Sequence, residues 1–537
     1  MLNFKCLIIT TILSFYSVIA YPQPQIGWQK CFGGSSNDTF DNVVKTLDGG
    51  FICLGRTNSD DFDLEGVCCP DGTLQIWLIK FDSLFSIQWQ TLFKFHSGGV
   101  ESLDNIFVNA DSTYTLIGTV SGETELCTCN HSESQDIWFV IVDSTGSIID
   151  QKCYGGSSYE LLMSVSKCAD SGYIIGATTG SGDGDVGMHY GDGFTPDAFV
   201  LKIDQSGDLQ WSKVIGGSSY DGAFVAGLTE DRYFVNVATS SFDYDLEGLM
   251  PVGEISARWL LILDSDGNII NQGFLPTYDL QLELNNVYQL GANNYILVGT
   301  NEIDTGDFVG NHGGNDASIG IFDSNLNLEK IIQFGGSDLD GFERMVAVNG
   351  SLYFSGYTYS SDYDCEINRG EGDVFIVKTD TAILKLWSKS LGSSGTDKLS
   401  GVLFLDTLTV FGSSALSGVN DGDILNAHFD ELIGESTEAW AIKFDEPNLI
   451  ETILSDNIIK IYPNPSTSEV FVYLNLDSIS ATFKLLVHDQ FGSVKGAYTL
   501  QNGQHSINTT SFEAGLYVFS ILNELDQVIE SFKIIIL

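Results

Sequence analysis

Short apolar runs, rich in β-branched and aromatic residues, recur along this chain between breaks of Gly, Asp, Asn and Ser. Residues 33–90 show the unit: GGSSND, FDNVVKTLDGGFICLGRT, the acidic loop SDDFDLEG, IWLIKFD and IQWQ. No helical period links the runs, so each run reads as a strand and each break as a turn. The same order returns from Gly155 and Gly216, and in a more diverged form from Gly335. The third run of each unit ends at Asp82, Asp143, Asp204, Asp264, Asp323, Asp380 and Asp445, in steps of 61, 61, 60, 59, 57 and 65 residues. In the first unit the four strands are expected at 43–47, 51–57, 77–81 and 87–93. Four strands repeated seven times predict an all-β chain folded as a seven-bladed β-propeller.

The array begins on a fourth-strand sequence, IGWQKCF at 26–32, and ends on a third strand, AWAIKFD at 439–445. The last unit therefore lacks its outer strand, and the first segment is expected to supply it. Such pairing closes the ring and removes an exposed sheet edge. The eight tryptophans occupy two repeat positions: Trp77, Trp138, Trp259 and Trp440 in third strands, Trp28, Trp89, Trp211 and Trp387 in fourth strands. Packing between blades is their expected role.

The chain holds 71 acidic and 24 basic residues, a net charge of −47. That excludes nucleic acid as a partner, since phosphate binding needs a basic footprint. Residues 1–20 carry Lys5, then an apolar run, then Val18-Ile19-Ala20, and read as a cleaved signal peptide. No other stretch is apolar for long enough to span a bilayer as a helix, so a mature chain without a transmembrane segment is expected. Cys68 and Cys69 fall in one acidic loop, Cys127 and Cys129 in the next. Their spacing does not suit zinc, and disulfides or free thiols are expected there. Cys31, Cys53, Cys153 and Cys168 lie in strands and are expected to be small buried residues.

Between its second and third strands, nearly every unit carries a carboxylate pair: Asp61/Asp63, Glu123/Glu125, Asp183/Asp185, Asp243/Asp245, Asp362/Asp364 and Asp421/Asp423. The fifth unit has Asp307 in register. Oxygen ligands two residues apart in a Gly-rich loop suit Ca²⁺, and Asp183 with Asp185 and Asp304 with Asp307 are the best candidates. The rival reading is turn chemistry, in which these carboxylates accept nearby backbone N–H groups. No nucleophile elbow, zinc-protease helix or phosphate loop is present in the sequence, and no catalytic residue or other cofactor is assigned. The longest loops, 182–196 and 415–438, contain His189, Tyr190 and His428.

The unit GGSSYD, GYIIGATT, AFVLKID, GDLQW resembles bacterial seven-bladed propeller repeats of the pattern GGSxD, GxT, FVxKxD, over most of 26–445. After Asp445 the repeat stops. Residues 458–537 closely resemble the type A C-terminal sorting domain of the type IX secretion system. The resemblance rests on Tyr462-Pro463-Asn464-Pro465, Asp489 and Gly492, Gly515-Leu516-Tyr517, and an apolar end containing Lys533. It implies an Ig-like sandwich, outer-membrane export, and partners in the secretion machinery and a sortase-like peptidase. The resulting plan is a signal peptide at 1–20, a propeller at 21–446, a linker at 447–457 and a sorting domain at 458–537. A secreted or cell-surface binding module for a glycan or protein is the leading functional expectation. A propeller hydrolase or lyase acting on polysaccharide, and a structural surface component, are the rivals.

Overall fold

The computed structural model describes residues 24–67, 72–93, 102–121, 134–191, 195–228, 232–251, 255–276, 287–290, 294–301, 311–348, 350–404, 407–416, 420–428, 436–445, 459–462, 469–474, 483–489, 493–501, 503–512, 514–522 and 528–536. The expected signal peptide and linker lie outside these residues, as do Cys68, Cys69, Cys127, Cys129 and the Glu123/Glu125 pair. The chain divides into two compact units, 1–445 and 446–537.

The first unit contains seven antiparallel four-stranded sheets. Blade 1 is built from Asp38–Lys45, Phe51–Thr57, Gln75–Phe81 and Ile87–Phe93. Its innermost strand starts five residues before the expected position, because Asp38 is held at the blade entrance by hydrogen bonds described below. Blade 7 takes Asp397–Phe404, Leu408–Leu416 and Ser436–Asp445 from the end of the array and Gln25–Phe32 from its start. The register runs from Gln25 opposite Asp445 to Phe32 opposite Ala439. The ring is thus closed by hydrogen bonds between its two ends.

The tryptophans fill the positions the repeat assigns to them. Trp77, Trp138, Trp259 and Trp440 are fully buried. Three of these donate Nε1–H to a glutamine of the neighbouring fourth strand: Trp77 to Gln90 at 3.0 Å, Trp138 to Gln151 and Trp259 to Gln272 at 3.1 Å. The fourth-strand Trp89 packs on Tyr114 of blade 2. A buried indole needs a partner for its N–H, and the repeated glutamine provides it.

One face of the ring consists of tight hairpins. The aspartates that end the third strands accept the N–H groups two and four residues on, as Asp82 does from Leu84 and Ser86, and Asp264 from Asp266 and Asn268. The repeated lysine two residues earlier is buried in blades 1 and 3. Lys80 donates to Asp48 at 2.9 Å and to the Phe81 carbonyl, and Lys202 to Asp170 at 2.7 Å and to the Ile203 carbonyl. Each lysine ties the first hairpin of its blade to the third strand.

Cys31, Cys53 and Cys168 are buried thiols outside any disulfide. Cys153 is buried in its strand as expected, and it is also disulfide-bonded. It lies one residue from the end of the outer strand Ile148–Tyr154.

The second unit pairs Ile459–Tyr462, Glu469–Leu474 and Gly503–Asn508 in one sheet, and Val494–Leu500, Phe483–Asp489, Gly515–Leu522 and Val528–Ile536 in another. Val470, Val472, Leu485, Val487, Phe519 and Ile534 belong to one shared core between these sheets.

Candidate functional site

The other face of the propeller carries the loops that cross from blade to blade and the acidic loops between second and third strands. Its geometry starts with the GGS segment. In blade 1, Gly34 N–H donates to Asp38 Oδ2 at 2.8 Å and Ser35 N–H to Asp61 Oδ1 at 2.7 Å. Gly33 N–H points at Asp63 Oδ2 at 3.4 Å, and Asp63 N–H returns a bond to the Gly33 carbonyl. Blades 3, 4, 6 and 7 repeat the pattern. Asp183, Asp243, Asp362 and Asp421 accept the Ser157, Ser218, Ser337 and Ser394 N–H groups at 2.7–2.9 Å. The acidic pairs therefore fasten each crossing loop to the blade it enters.

Asp183 and Asp185, expected as calcium ligands, each take a backbone N–H, from Ser157 at 2.7 Å and Gly155 at 3.3 Å. Among the described residues, no group of three or more His, Cys, Asp or Glu side chains is arranged to hold a metal ion. Asp304 and Asp307 lie outside the described residues.

A second set of carboxylates lies beneath the first. Asp38, Glu160, Asp221, Asp340 and Asp397 open the innermost strands, and Asp136, Asp197, Asp316, Asp373 and Glu438 open or nearly open the third strands. All are buried. They meet across blade seams. A Cβ added to Gly155 would stand 2.2 Å from Glu160 Oε2 and 2.5 Å from Asp136 Oδ1; at Gly392 it would stand 2.4 Å from Asp397 and 2.5 Å from Asp373. Only glycine admits two carboxylates so close to the chain.

Burial pushes Glu160 and Asp397 up to about 7, against the lowering effect of hydroxyl and N–H donors. It likewise pushes Asp221 and Asp316 to about 6. The hydrogen-bond partners recur: Thr57 and Ser59 hydroxyls donate to Asp38, and the Ser241 and Ser360 hydroxyls to Asp221 and Asp340. This explains the T-x-S repeated at the ends of the second strands in blades 1, 3, 4 and 6.

Four of these pairs also meet a basic side chain. His189 Nδ1 is 3.6 Å from Asp197 Oδ2, and His312 Nδ1 is 3.3 Å from Asp316 Oδ2. Arg369 joins Asp373 and Asp423, each at 3.0 Å. His428 Nδ1 meets Glu438 Oε1 at 2.8 Å. Burial pushes Glu438 up to about 7 despite this contact. Burial lowers His428, but the Glu438 hydrogen bond and charge outweigh it and raise its pKa overall.

The residue between the paired acids has a left-handed backbone in every described loop: Phe62 at φ 48°, Gly184 at 60°, Tyr244 at 50°, Tyr363 at 51° and Gly422 at 62°. The three aromatics are exposed, at 58%, 57% and 68%. Each lies against a ring of the preceding blade: Phe62 on His428 at 4.6 Å, Tyr244 on Tyr190 at 4.7 Å, Tyr363 on His312 at 4.3 Å. Tyr220, Phe242 and Tyr359 are exposed on the same face. An open cavity of about 350 Å³ lies near the blade 2/3 seam, lined by residues including Lys152, Tyr154, Asp185 and Asp208.

The sequence reading found the outer acids and missed the buried ones, because an Asp after GGSS reads as one more turn residue. A signal was present: Asp136–Glu160, Asp197–Asp221, Asp316–Asp340 and Asp373–Asp397 are all 24 residues apart.

In the second unit, Tyr462 ends a strand opposite Phe471, and Gly515 and Tyr517 pair with Ile536 and Ile534. Lys533 pairs with Val518, and Asp489 accepts the Ser493 N–H across its turn. Pro463, Asn464, Pro465 and Gly492 lie outside the described residues.

Residues 460–536 match the family described as the secretion system C-terminal sorting domain. No curated protein matches the chain. Among solved structures, a prolyl endopeptidase is similar at 9% identity and a TM-score of 0.39, over 92% of this chain and 54% of that one. The parainfluenza virus 5 hemagglutinin-neuraminidase ectodomain is similar at 8% and 0.33, over 79% and 86%. A eukaryotic initiation factor gives 8% and 0.28, over 89% and 92%. These scores carry no argument about activity. The chain thus ends in a type IX secretion system C-terminal sorting domain behind an all-β propeller, and is a secreted protein attached at the cell surface.

Proposed function

We propose that the propeller is a non-enzymatic binding module, displayed outside the cell, whose working surface is the crossing-loop face. The observation that carries this reading is the placement of exposed aromatic rings. Phe62, Tyr220, Phe242, Tyr244, Tyr359 and Tyr363 all stand on that face, while toward the opposite face the exposed residues are scattered ones such as Leu47, Leu84, Leu384 and Tyr288. Exposed apolar side chains clustered on one surface mark interaction sites. The acids of this face are engaged in holding loops, in copies around the ring, whereas catalysis calls for one asymmetric, tuned pair.

A hydrolase reading has one observation in its favour, the His428–Glu438 contact at 2.8 Å. Glycan and protein arrays run beside a polysaccharide turnover screen separate the two. Binding without turnover is expected. Turnover abolished by Glu438→Gln would transfer the reading to an enzyme.

The second unit serves as the export address, read by the secretion machinery and removed by a sortase-like peptidase. Lys533→Ala and deletion of 533–537 test this. The deletion also removes Ile534 and Ile536 from the core, so the point substitution is the cleaner probe. Periplasmic retention of the deleted chain is expected, and normal surface display of it would overturn the reading.

A further inference from the structure

We infer that the rings of Phe62, Tyr244 and Tyr363 are recognition points for a basic polypeptide, whose Lys or Arg side chains they bind by cation–π contact within a frame of carboxylates. The inference rests on the binding reading above and names the chemistry of the partner.

Five described acidic loops share one backbone, with a left-handed residue between two aspartates. Glycine adopts that conformation without steric cost, and blades 3 and 7 use it. Blades 1, 4 and 6 place an aromatic there, which the fold does not require and which gains little burial. The same three loops differ from the glycine loops in a second way. They read Asp61-Phe62-Asp63-Leu64-Glu65, Asp243-Tyr244-Asp245-Leu246-Glu247 and Asp362-Tyr363-Asp364-Cys365-Glu366. The glycine loops read Asp183-Gly184-Asp185-Val186-Gly187 and Asp421-Gly422-Asp423-Ile424-Leu425. Wherever the ring appears, a third carboxylate appears with it, although in blade 6 that carboxylate, Glu366, is already paired with Lys389 at 3.1 Å and Asp364 with Lys385, so a cation arriving at Tyr363 meets lysines already in place. A ring alone suits many ligands; a ring joined by an added negative charge suits a cation.

Two further observations agree. Each ring packs against a ring of the preceding blade, Tyr363 stacked on His312 and the other two tilted, so it is held on one side by a neighbour. The chain carries a net charge of −47, which draws a cationic partner and repels an anionic one. A protonated Lys or Arg over an aromatic face is attracted by the ring quadrupole, most strongly where carboxylates stand nearby. Three such points on one face allow one partner to engage several at once.

The test uses the full secreted chain and a Lys/Arg-rich peptide as probe, with a neutral oligosaccharide series and a neutral peptide as comparators. Phe62→Gly, Tyr244→Gly and Tyr363→Gly remove the rings, leave the net charge unchanged, and install the residue blades 3 and 7 already use. Each should weaken the basic peptide about two- to fivefold, and the triple variant on the order of tenfold or more. Binding should also weaken steeply between low salt and physiological salt. Thermal melts of the three variants keep the result interpretable: a variant that melts like the parent and loses binding supports the inference. A triple variant that binds the peptide as the parent does would overturn it, leaving only non-specific charge attraction. A parent that ignores the basic peptide yet binds a neutral glycan, with loss in the triple variant, would also overturn it while leaving the binding-module reading in place. A parent that binds nothing on the arrays would end both.

Discussion

The two faces of this propeller spend aspartate in opposite ways. On the hairpin face, Asp82, Asp143, Asp264 and Asp323 stand in water; the Thr145 hydroxyl on Asp143, the Asn327 side chain on Asp323 and backbone N–H groups on all four hold their carboxyls below the usual range. On the crossing-loop face, Asp38, Glu160, Asp221, Asp340 and Asp397 are buried, and desolvation raises them. The same residue type closes a local turn in one place and fastens blade to blade in the other. The difference teaches that acid content alone does not mark a ligand site here. What distinguishes the crossing-loop face is the aromatic residue set between two such acids.

The comparison predicts unequal mutational costs. Asp221→Ala would strand the Gly217 N–H and the Ser241 hydroxyl, and should cost roughly 3 kcal/mol or more, since a buried unpaired donor costs about 1–3 kcal/mol. Asp264→Ala leaves its donors to water and should shift the denaturation midpoint far less. Chemical denaturation of both variants gives the ratio, and equal losses would break the contrast.

Next in size is Asp170→Ala. It leaves Lys202 buried without its carboxylate, a loss of roughly 3 kcal/mol. Lys202→Met together with Asp170→Ala should recover most of it, and a double variant as unstable as the single one would refute that account of the lysine.

Stability should also depend on pH with a definite sign. The raised groups hold protons in the folded chain that the unfolded chain gives up near pH 4. Their contribution is fully present below about pH 4 and is lost as pH rises through 6 to 7, the values of Asp221, Asp316, Glu160, Asp397 and Glu438. His428, raised above its ordinary value, acts with the same sign. The lowered turn aspartates act with the opposite sign, their contribution lost as pH falls through the lower values they hold in the folded chain. The melting temperature should therefore peak in mild acid and fall by a few degrees toward pH 8. A flat profile from pH 4 to 8 would show that the buried pairs are ionised in both states.

The smallest expected effect is Tyr244→Gly, which should leave stability within about 1 kcal/mol of the parent, because relief of the left-handed backbone offsets the lost contact with Tyr190.

Much of this architecture was legible in the sequence. The Asp82 series counted the blades, and the split seventh unit announced the closure between Gln25–Phe32 and Ser436–Asp445. The tryptophan positions followed from periodicity, because burial of large rings repeats with the blade. The carboxylate pairs beneath the crossing loops were not legible in the same way. Asp197 and Asp221 stand in different blades and meet only when the ring is built. The inner strand's true start at Asp38 was hidden for a more local reason, since its partners, the Gly34 N–H and the Thr57 and Ser59 hydroxyls, read in the sequence as turn residues. The contact of Phe62 with His428 joins residues from opposite ends of the array and depends on closure. The burial of Cys153 followed from its strand position, which said nothing of its disulfide.

The most direct test of the account compares binding by two matched triple variants of the secreted chain, with the Lys/Arg-rich peptide as probe. One carries Phe62→Gly, Tyr244→Gly and Tyr363→Gly on the crossing-loop face; the other carries Leu47→Gly, Leu84→Gly and Leu384→Gly on the hairpin face. The account predicts a loss on the order of tenfold for the first and parental affinity for the second. Equal affinities, or a loss confined to the second variant, would contradict it.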